Sequence, residues 1–308
     1  MAFSGGRGHG QVWGMVIVFG SVNLDLGFPL DALPAPGETL LCPALLAGPG
    51  GKGGNQALAA RRDGADVAMA GAVGRDAFAG AALALLERAG VDLSRVARTD
   101  AATGCAAVLT DPAGRNQIAV AAGANLLARA DQVEDALLRP GATLLMQMEC
   151  DPRETAALIR RAKGRGARVL LNLAPAAPLA GDALAMLDLL IVNEHEAEWL
   201  GAADAEALHR RLGVGVVRTM GGAGAEYATR GGAGHVAAAA VQVVDTTGAG
   251  DCFAGVLAAA LDRGAGLADA MTRACAAAAL ACTRPGAQAA MPDAAETNGL
   301  LARRGAVA

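Results

Sequence analysis

Short apolar runs of strand length alternate along most of this chain with longer segments of helical pattern, and this alternation most constrains its fold. The strand candidates are apolar at consecutive positions, as in strands that are buried on both faces. They are Val16–Phe19, Val67–Ala70, Thr143–Gln147, Arg168–Asn172, Leu187–Val192 and Val214–Arg218. The helix candidates between them are Asn55–Arg62, Ala77–Ala89, Ala130–Arg139, Pro152–Gly164 and Ala205–Leu212. The pattern predicts a three-layer α/β/α domain around a mostly parallel central sheet.

Two segments, about 24–47 and 98–121, interrupt this alternation. The first is rich in proline and has no helical pattern. The second contains Cys105–Thr110 and Asn116–Ala121 on either side of the turn sequence Asp111-Pro112-Ala113-Gly114, which predicts a β-hairpin. We expect both segments to form a small β-sheet outside the main layer, as a lid. Residues 1–14 are predicted to be a flexible, glycine-rich extension, and residues 15–308 one large α/β domain.

Composition limits the classes of function. Apolar residues make up 53% of the 308 positions and charged residues 18%, which allows a sizeable core. The net charge of −4, without a basic run, argues against nucleic-acid binding. No run approaches the roughly 20 apolar residues that a membrane span needs. Six cysteines without a C-x-x-C pair, and four scattered histidines, predict a cytoplasmic protein with reduced thiols and no zinc site.

An acidic residue follows three small residues where a late helix is predicted to begin, at Gly248, Ala249, Gly250 and Asp251. A strand is predicted just before them, at Val241–Val244. Main-chain amides in the first turn of a helix have no partner within the helix, so they can bind an anion. A carboxylate beside a bound phosphate could accept the proton of an attacking hydroxyl. The alternative is a tight turn whose acid only stabilises the helix N-terminus.

A second glycine-rich stretch, 48–57, lies near the other end of the chain. Gly48, Gly50 and Gly53 formally satisfy G-x-G-x-x-G, which would suit a nicotinamide-dependent dehydrogenase. However, the stretch follows the proline-rich segment and not the first buried strand. It also lacks the Ser or Thr that follows lysine in a Walker A loop. Its glycines would let the backbone approach a small polar ligand, with Lys52 and Asn55 available to bind hydroxyl groups.

Together the two stretches resemble the N- and C-terminal signatures of the ribokinase-like (PfkB) carbohydrate kinase family. The resemblance runs from about Met15 to Pro292 and is strongest to the ribokinase branch. It is carried further by the stretches 20–25, 36–39, 146–149, 193–198 and 283–288. It implies transfer of the γ-phosphate of ATP to the 5-hydroxyl of D-ribose, with Asp251 as the base and the amides of 248–251 as an anion hole. Nucleoside, fructose or deoxyribose kinases, and a non-catalytic sugar-binding regulator, remain alternatives.

The resemblance also implies roles for single residues. The sugar would be held by Asn23, Asp25, Gly51, Lys52, Asn55, Glu149 and Asp251. The nucleotide and Mg²⁺ would be held by Asn193, Glu196, Thr219, Gly221, Gly222, Gly224, Gly250 and Cys275. A monovalent cation, K⁺ in most ribokinases, would be bound by Asp245 and Thr247 with carbonyl groups near Ala281, Arg284, Gly286 and Ala290.

Several of these residues have simpler explanations. Asp25 could cap a turn, and Glu149 could be an ordinary acid at a strand end. Asn193 could be a helix N-cap with Glu196 in a capping box, which is compatible with a role in binding. The exposed edges of the predicted lid strands suggest a homodimer in which two lids pair and cover those edges.

Overall fold

The structure is a computed structural model that describes residues 14–305, so the predicted extension at 1–14 lies outside the described residues except for Gly14. The strands are β1 Val16–Phe19, β2 Asn23–Pro29, β3 Leu46–Gly50, β4 Val67–Gly74, β5 Asp92–Thr99, β6 Gly104–Thr110, β7 Asn116–Ala121, β8 Thr143–Met146, β9 Arg168–Asn172, β10 Leu189–Asn193, β11 Gly215–Thr219, β12 Ala225–Thr229 and β13 Gly232–Val236. The helices are α1 Lys52–Arg62, α2 Ala77–Ala89, α3 Pro152–Gly164, α4 Gly181–Leu184, α5 Glu194–Trp199, α6 Ala205–Leu212, α7 Ala249–Asp262, α8 Leu267–Ala281 and α9 Ala294–Gly305.

Within residues 14–305, nine strands form the main sheet in the order β13-β12-β11-β10-β9-β8-β1-β4-β5. Neighbouring strands from β11 to β5 run parallel, and β12 and β13 add an antiparallel edge. β1 lies in the middle, with Val16 opposite Val67 on one side and Thr143 on the other. The predicted, mostly parallel central sheet is confirmed.

Helices cover both faces of this sheet. Val16 and Val18 of β1 pack in the cluster that contains residues of α1, α2, α7 and α8. Ile17 and Phe19, the alternate residues, pack in the opposite cluster with α3, α5 and α6. Because side chains alternate between the two faces and both faces are covered, every position of β1 is apolar and buried. The three-layer arrangement is therefore confirmed.

A separate sheet has the order β3-β2-β6-β7 within the described chain. Its hairpin between β6 and β7 is antiparallel, as predicted. Asp111 closes the turn by accepting hydrogen bonds from the amides of Ala113 and Arg115, and Gly114 has a positive φ of 77°. The bounds differ from those predicted, because residues 98–99 end strand β5 of the main sheet and β3 extends to Gly50. Here the four strands are called the small sheet.

Two predicted elements are wrong. Residues 133–139 are not helical, and Ala130–Gln132 form one 3₁₀ turn. The Arg161 guanidinium donates hydrogen bonds to the carbonyl oxygens of Ala130 and Val133 at 2.7 and 2.9 Å. Tertiary hydrogen bonds thus replace those that a helix would make. Val241–Val244 form no strand: the chain has left β13 and passes beside the end of α8, where the amide of Val244 donates to Cys282 O at 2.8 Å.

No helix within residues 14–305 has the length and apolar character that a membrane crossing requires.

Candidate active site

Polar residues gather at one edge of the main sheet, and they include Asn193 and Thr219, which were named from the sequence. Five neighbouring parallel strands end there: β1, β8, β9, β10 and β11. Asn172, Asn193 and Thr219 are the last residues of β9, β10 and β11, and Ser21 and Gln147 come just after β1 and β8. Helices α1 and α7 begin at the same edge. The carboxyl ends of parallel strands are the usual place for a ligand in a sheet of this kind.

Asp251 lies in the first turn of α7. Gly248 precedes the helix with a φ of 74°, a left-handed conformation that suits glycine. The Asp251 carboxylate is buried and accepts hydrogen bonds from Asn55 Nδ2 at 2.8 Å and Gln56 Nε2 at 2.9 Å. Burial raises the pKa of Asp251, while Lys52 and these two donors oppose the rise. The site thus holds a carboxylate with heightened basicity.

The start of α7 offers main-chain donors beside this carboxylate. Gly250 and Asp251 are first-turn residues, so their amides have no carbonyl partner within the helix. The Ala249 amide donates to Thr246 O at 3.1 Å and is already engaged. Of the four amides at 248–251 in the predicted anion hole, that of Ala249 therefore already has a main-chain partner.

Lys52 and Glu149 meet across the cleft. Glu149 Oε2 accepts hydrogen bonds from Ser21 Oγ at 2.5 Å and from the Lys52 amide at 3.1 Å. Lys52 Nζ lies 4.0 Å from Glu149 Oε1. The charges of Asp251 and then Glu149 raise the pKa of Lys52 against its burial, so the ammonium group stays charged. Glu149 is thus more than a strand-end acid, because it joins α1 to the end of β1.

The small sheet contributes Asn23 and Asp25, both on β2. Asn125 fixes the Asn23 amide by donating to its Oδ1 at 2.7 Å, and Asn125 Oδ1 accepts from the Val22 amide at 2.9 Å. Asp25 does not cap a turn, since it lies within the strand opposite Gly48. Its Oδ1 is buried and has no hydrogen-bond partner among the described residues. Asp25 therefore has an acceptor to offer to a ligand.

The position of Asp25 is costly for the unliganded protein. Burial, followed by the charges of Glu149 and Asp251, raises its pKa to about 6. A carboxyl group whose pKa is higher in the folded state stabilises the fold at low pH, and that contribution is lost as pH rises from 3.8 through about 6. The ionised side chain thus destabilises the fold at neutral pH.

We expect Asp25→Asn to raise the melting temperature of the unliganded protein at pH 7.5. The neutral amide removes a buried charge that Lys52 compensates only in part. Thermal unfolding followed by circular dichroism between pH 4 and 8 measures the effect. The gain should shrink as pH falls from 7 towards 4, where the wild-type carboxyl is itself protonated. An equal gain at every pH would contradict the electrostatic explanation.

Two cavities meet at the first turn of α7. The smaller, of about 160 Å³, is lined by residues that include Lys52, Asn193, Glu196 and Asp251. The larger, of about 350 Å³, is mainly apolar and contains the predicted nucleotide residues Thr219, Gly221, Gly222, Gly224, Gly250 and Cys275 together with Val241, Phe253 and Cys282. Thr219 and Gly250 line both cavities. A ligand in the larger cavity could therefore reach Asp251 past these two residues.

Asn193 and Glu196 form the capping box that the simpler explanation required. Asn193 Oδ1 accepts from the Glu196 amide, and Glu196 Oε2 accepts from the Asn193 amide, each at 2.8 Å. Both residues also line the smaller cavity with Asp251. Burial is the main cause of the raised pKa of Glu196. Capping fixes the two side chains at the cavity, so the structural and binding roles are compatible.

Asp245 joins the two segments predicted to bind a monovalent cation. Its Oδ1 accepts from the Thr247 amide and its Oδ2 from the Gly286 amide, each at 2.8 Å. The Ala281 carbonyl accepts from the Arg284 amide at 3.3 Å. Ala290 is buried in the 3₁₀ turn Gln288–Ala290 that follows. The carboxylate thus holds 245–247 against 284–286, although its own oxygens already accept hydrogen bonds.

Sequence reasoning assigned no role to five residues that complete the site. They are Ser21, Gln56, Asn125, Gln147 and Asn172, all of them buried. Three of them, Ser21, Gln56 and Gln147, lie within stretches that carried the resemblance. A side chain that binds another side chain distant in the sequence nevertheless produces no recognisable spacing of residues. A buried amide at a predicted strand end, as at Gln147, was the available signal, because such a group needs partners.

The glycine-rich loop at 48–57 does not have the dinucleotide-binding arrangement. Gly48 and Gly50 belong to β3 of the small sheet, where they lie opposite Asp25 and Asn23. A Cβ atom on Gly50 would lie 2.0 Å from Asp25 Oδ2. Glycine here gives space to an acidic side chain of the neighbouring strand. β3 leads into α1 but pairs antiparallel in the small sheet, whereas the NAD-binding unit begins from a strand of the parallel sheet.

Comparison with known proteins agrees with this geometry. The model of the pfkB family carbohydrate kinases matches residues 14–294. The ribokinase of Staphylococcus aureus is 32% identical over 299 residues, which cover 92% of this chain and 98% of that protein. The deoxyribokinase of Salmonella typhi is also 32% identical, over 93% of this chain and 98% of its own length. The structure of Arabidopsis thaliana ribokinase complexed with ribose and ATP superposes with a TM-score of 0.86 at 28% identity, covering 94% of this chain and 99% of the other. The chain belongs to the pfkB family of carbohydrate kinases and is a sugar phosphotransferase.

Proposed function

We propose that this enzyme transfers the γ-phosphate of ATP to the 5-hydroxyl of D-ribose, with Asp251 as the general base. The position of Asp251 carries the proposal. It is a buried carboxylate, held by two amide donors in the first turn of α7, and it lines the smaller cavity next to Gly250, which lines both cavities. A base in this place can take the hydroxyl proton while free main-chain amides face the phosphate.

The smaller cavity and the small sheet would bind the sugar. Lys52 lines this cavity and Asn55 binds Asp251. Glu149 binds the Lys52 amide, Gly51 precedes α1, and Asn23 and Asp25 lie on β2 beside β3, and these four would complete the sugar site. Asp25 Oδ1 and Asn55 Oδ1 are buried acceptors without partners among the described residues, and hydroxyl groups of a furanose would satisfy them. The small sheet would act as a lid, whose closure excludes water that could otherwise attack the phosphate.

The larger cavity would bind ATP. Its apolar walls suit a purine base, and Gly221, Gly222 and Gly224 leave room for the nucleotide to approach the main chain. Gly224 has a φ of 96°, and a Cβ atom there would lie 2.1 Å from Val236 O. Lys52, charged and in the smaller cavity, would counter the charge of the phosphate as it passes to the sugar.

Metal ions would act at two places. Glu196 and Asn193 offer oxygen atoms in the cavity beside Asp251, and oxygen ligands suit Mg²⁺, which keeps several waters and would neutralise phosphate charge when bound. The loops that Asp245 joins offer carboxylate and carbonyl oxygens that suit a monovalent cation such as K⁺. Such an ion would stabilise the 245–247 segment that leads into the anion site.

Deoxyribose is the second candidate substrate. Salmonella deoxyribokinases are as similar to this chain, at 32% identity, as the ribokinases of Staphylococcus aureus and Haemophilus influenzae. The two sugars differ by one hydroxyl group at C2. A site that binds this hydroxyl with a buried polar group should discriminate strongly against the sugar that lacks it.

A coupled assay for ADP release tests the proposal. Ribose, 2-deoxyribose, fructose and adenosine are compared with ATP–Mg²⁺, each with and without K⁺. We expect ribose to give the highest kcat/KM and K⁺ to raise it. A higher kcat/KM for deoxyribose than for ribose would make deoxyribose the proposed substrate, and no ADP release with any of the four acceptors would point to a different sugar as acceptor.

We also propose a homodimer that forms through the small sheet. Its outer strands β3 and β7 each lack a neighbouring strand on one side among residues 14–305, and they expose Leu46, Ile118 and Val120, each more than half accessible. Exposed apolar edge strands favour pairing with another chain. Sedimentation at micromolar concentration should show a dimer, and the double substitution Ile118→Lys with Val120→Lys should give monomers. A monomeric wild-type protein would contradict this proposal.

A further inference from the structure

Three buried side-chain amides form a chain of hydrogen bonds that ends on Asp251. Gln56 Nε2 donates to Asp251 Oδ1 at 2.9 Å and to Asn172 Oδ1 at 3.0 Å. Gln147 Nε2 donates to Gln56 Oε1 at 2.6 Å. Gln56 and Gln147 are fully buried and are not among the residues that line the two cavities. These two residues therefore lie behind the site and do not form its binding surface.

These hydrogen bonds favour one of the two orientations of the Gln56 amide towards Asp251. A glutamine can turn its carboxamide by 180° and exchange a donor for an acceptor, whereas an ionised carboxylate only accepts. In the observed orientation Gln56 Oε1 accepts from Gln147 Nε2, and Gln56 Nε2 donates to Asn172 Oδ1. If the Gln56 amide turned, its N–H group would face the N–H group of Gln147 and its oxygen would face the oxygen of Asn172. Asn172 is itself held by donation from its Nδ2 to Ile191 O at 3.3 Å.

The surrounding main chain makes room for Gln147. A Cβ atom on Gly20, at the end of β1, would lie 1.9 Å from Gln147 Oε1 and 2.8 Å from Gly53 Cα. Gln147 Oε1 is buried and has no hydrogen-bond partner among the described residues. Burying an acceptor without a partner costs stability, which an apolar side chain of the same size would avoid. Keeping a glutamine here is explained if its donor serves the site.

We propose that Gln147, acting through Gln56, is a positioning residue that keeps the Asp251 carboxylate ionised and aimed at the acceptor hydroxyl. The inference rests on the proposed role of Asp251 as the base. Hydrogen bonds from Asn55 and Gln56 favour the charged carboxylate, and so does Lys52. Burial and the nearby carboxylates of Asp25, Glu149 and Glu196 oppose ionisation of Asp251. The thiol of Cys252, the next residue, stays neutral because burial raises its pKa.

The variants Gln147→Met and Gln147→Glu test this role. Methionine keeps the volume but removes the donor to Gln56 Oε1, so Gln56 is oriented only by Asp251 and Asn172 and is held less firmly. We expect kcat to fall about 10-fold, since a misplaced catalytic group costs up to about 100-fold. Loss of a donor to the carboxylate raises the pKa of Asp251, so the acid limb of the kcat–pH profile should move to higher pH. In Gln147→Glu, the ionised glutamate would attract Gln56 Nε2 away from Asp251. We therefore expect kcat to fall further in this variant than in Gln147→Met. KM for the sugar should change little.

Thr155→Val serves as a matched control. Thr155 is fully buried and donates one hydrogen bond, from Oγ1 to Asp151 O at 3.3 Å, at the start of α3 on the other face of the sheet. It should keep the wild-type kcat and pH profile despite a similar loss of melting temperature. A folded Gln147 variant with the wild-type kcat, or with a lower kcat and an unmoved acid limb, would overturn the inference. If Asp251→Asn is inactive while both Gln147 variants behave as wild type, the proposed base stands and the positioning role does not.

Discussion

Replacement of Asp251 by Asn is expected to lower kcat by about 10²- to 10⁴-fold, the range typical for loss of a general base. The asparagine side chain has the same size but cannot accept the proton of the attacking hydroxyl. Its amide group would also face the N–H groups of Asn55 or Gln56, which now bind carboxylate oxygens at 2.8 and 2.9 Å. KM for ATP should change little, because the larger cavity is untouched. Steady-state kinetics of the folded variant measure both quantities.

Asp262→Asn is the matched control for this substitution. Asp262 is the last residue of α7, and burial also raises its pKa, but it lies at the opposite end of the helix from the cavities. The control should retain the wild-type kcat. Near-native turnover by Asp251→Asn would show that another group, or the substrate itself, takes the proton. The assignment of the base would then be wrong, although the family membership would remain.

Gly255→Ala is expected to destabilise the fold and to lower activity together. Gly255 lies in α7 where this helix touches α1, and a Cβ atom there would be 2.3 Å from Gln56 O and 2.8 Å from Ala59 Cβ. Main-chain atoms cannot move aside singly, so the two helices must separate. Overpacking of this kind costs about 1–3 kcal/mol. Separation would also draw Asn55 and Gln56 away from Asp251, and we expect a fall in kcat of about 10- to 100-fold.

Gly80→Ala tests whether the effect of Gly255→Ala comes from the contact between helices. Gly80 lies inside α2, and among the described residues a Cβ atom there would meet no heavy atom within 4 Å apart from its chain neighbours and the adjacent main chain of α2. Alanine is a better helix former than glycine, so this variant should gain about 0.5–1 kcal/mol. Denaturant unfolding of both variants, with kcat, gives the comparison. A stable and fully active Gly255→Ala would show that α1 and α7 need not lie so close.

The central sheet could be predicted from the sequence because its physical cause is local. A parallel strand covered by helices on both faces must be apolar at successive positions, as at Val16–Phe19, and its identity does not depend on a particular partner. The hairpin around Asp111–Gly114 was equally predictable, since its turn is closed by a side chain within the same few residues.

The failures have the opposite cause. Val241–Val244 has strand-forming residues, but the sheet ends at β13 and leaves that segment without a neighbouring strand. Residues 130–139 have a helical pattern, but Arg161 binds their carbonyls from another helix. In both segments, partners distant in the sequence overrode a local preference.

By itself the sequence determined the alternating architecture, the two glycine-rich loops and the acid at the start of α7, because each of these depends on residues close together in the chain. Only the tertiary structure decided which amides hold that acid and which cavity it faces. Asp251 lies 196 positions after Asn55 and 195 after Gln56 in the sequence. These residues meet only because α1 packs on α7 at Gly255. Contacts of that kind are products of folding, so their geometry is not encoded in any local pattern.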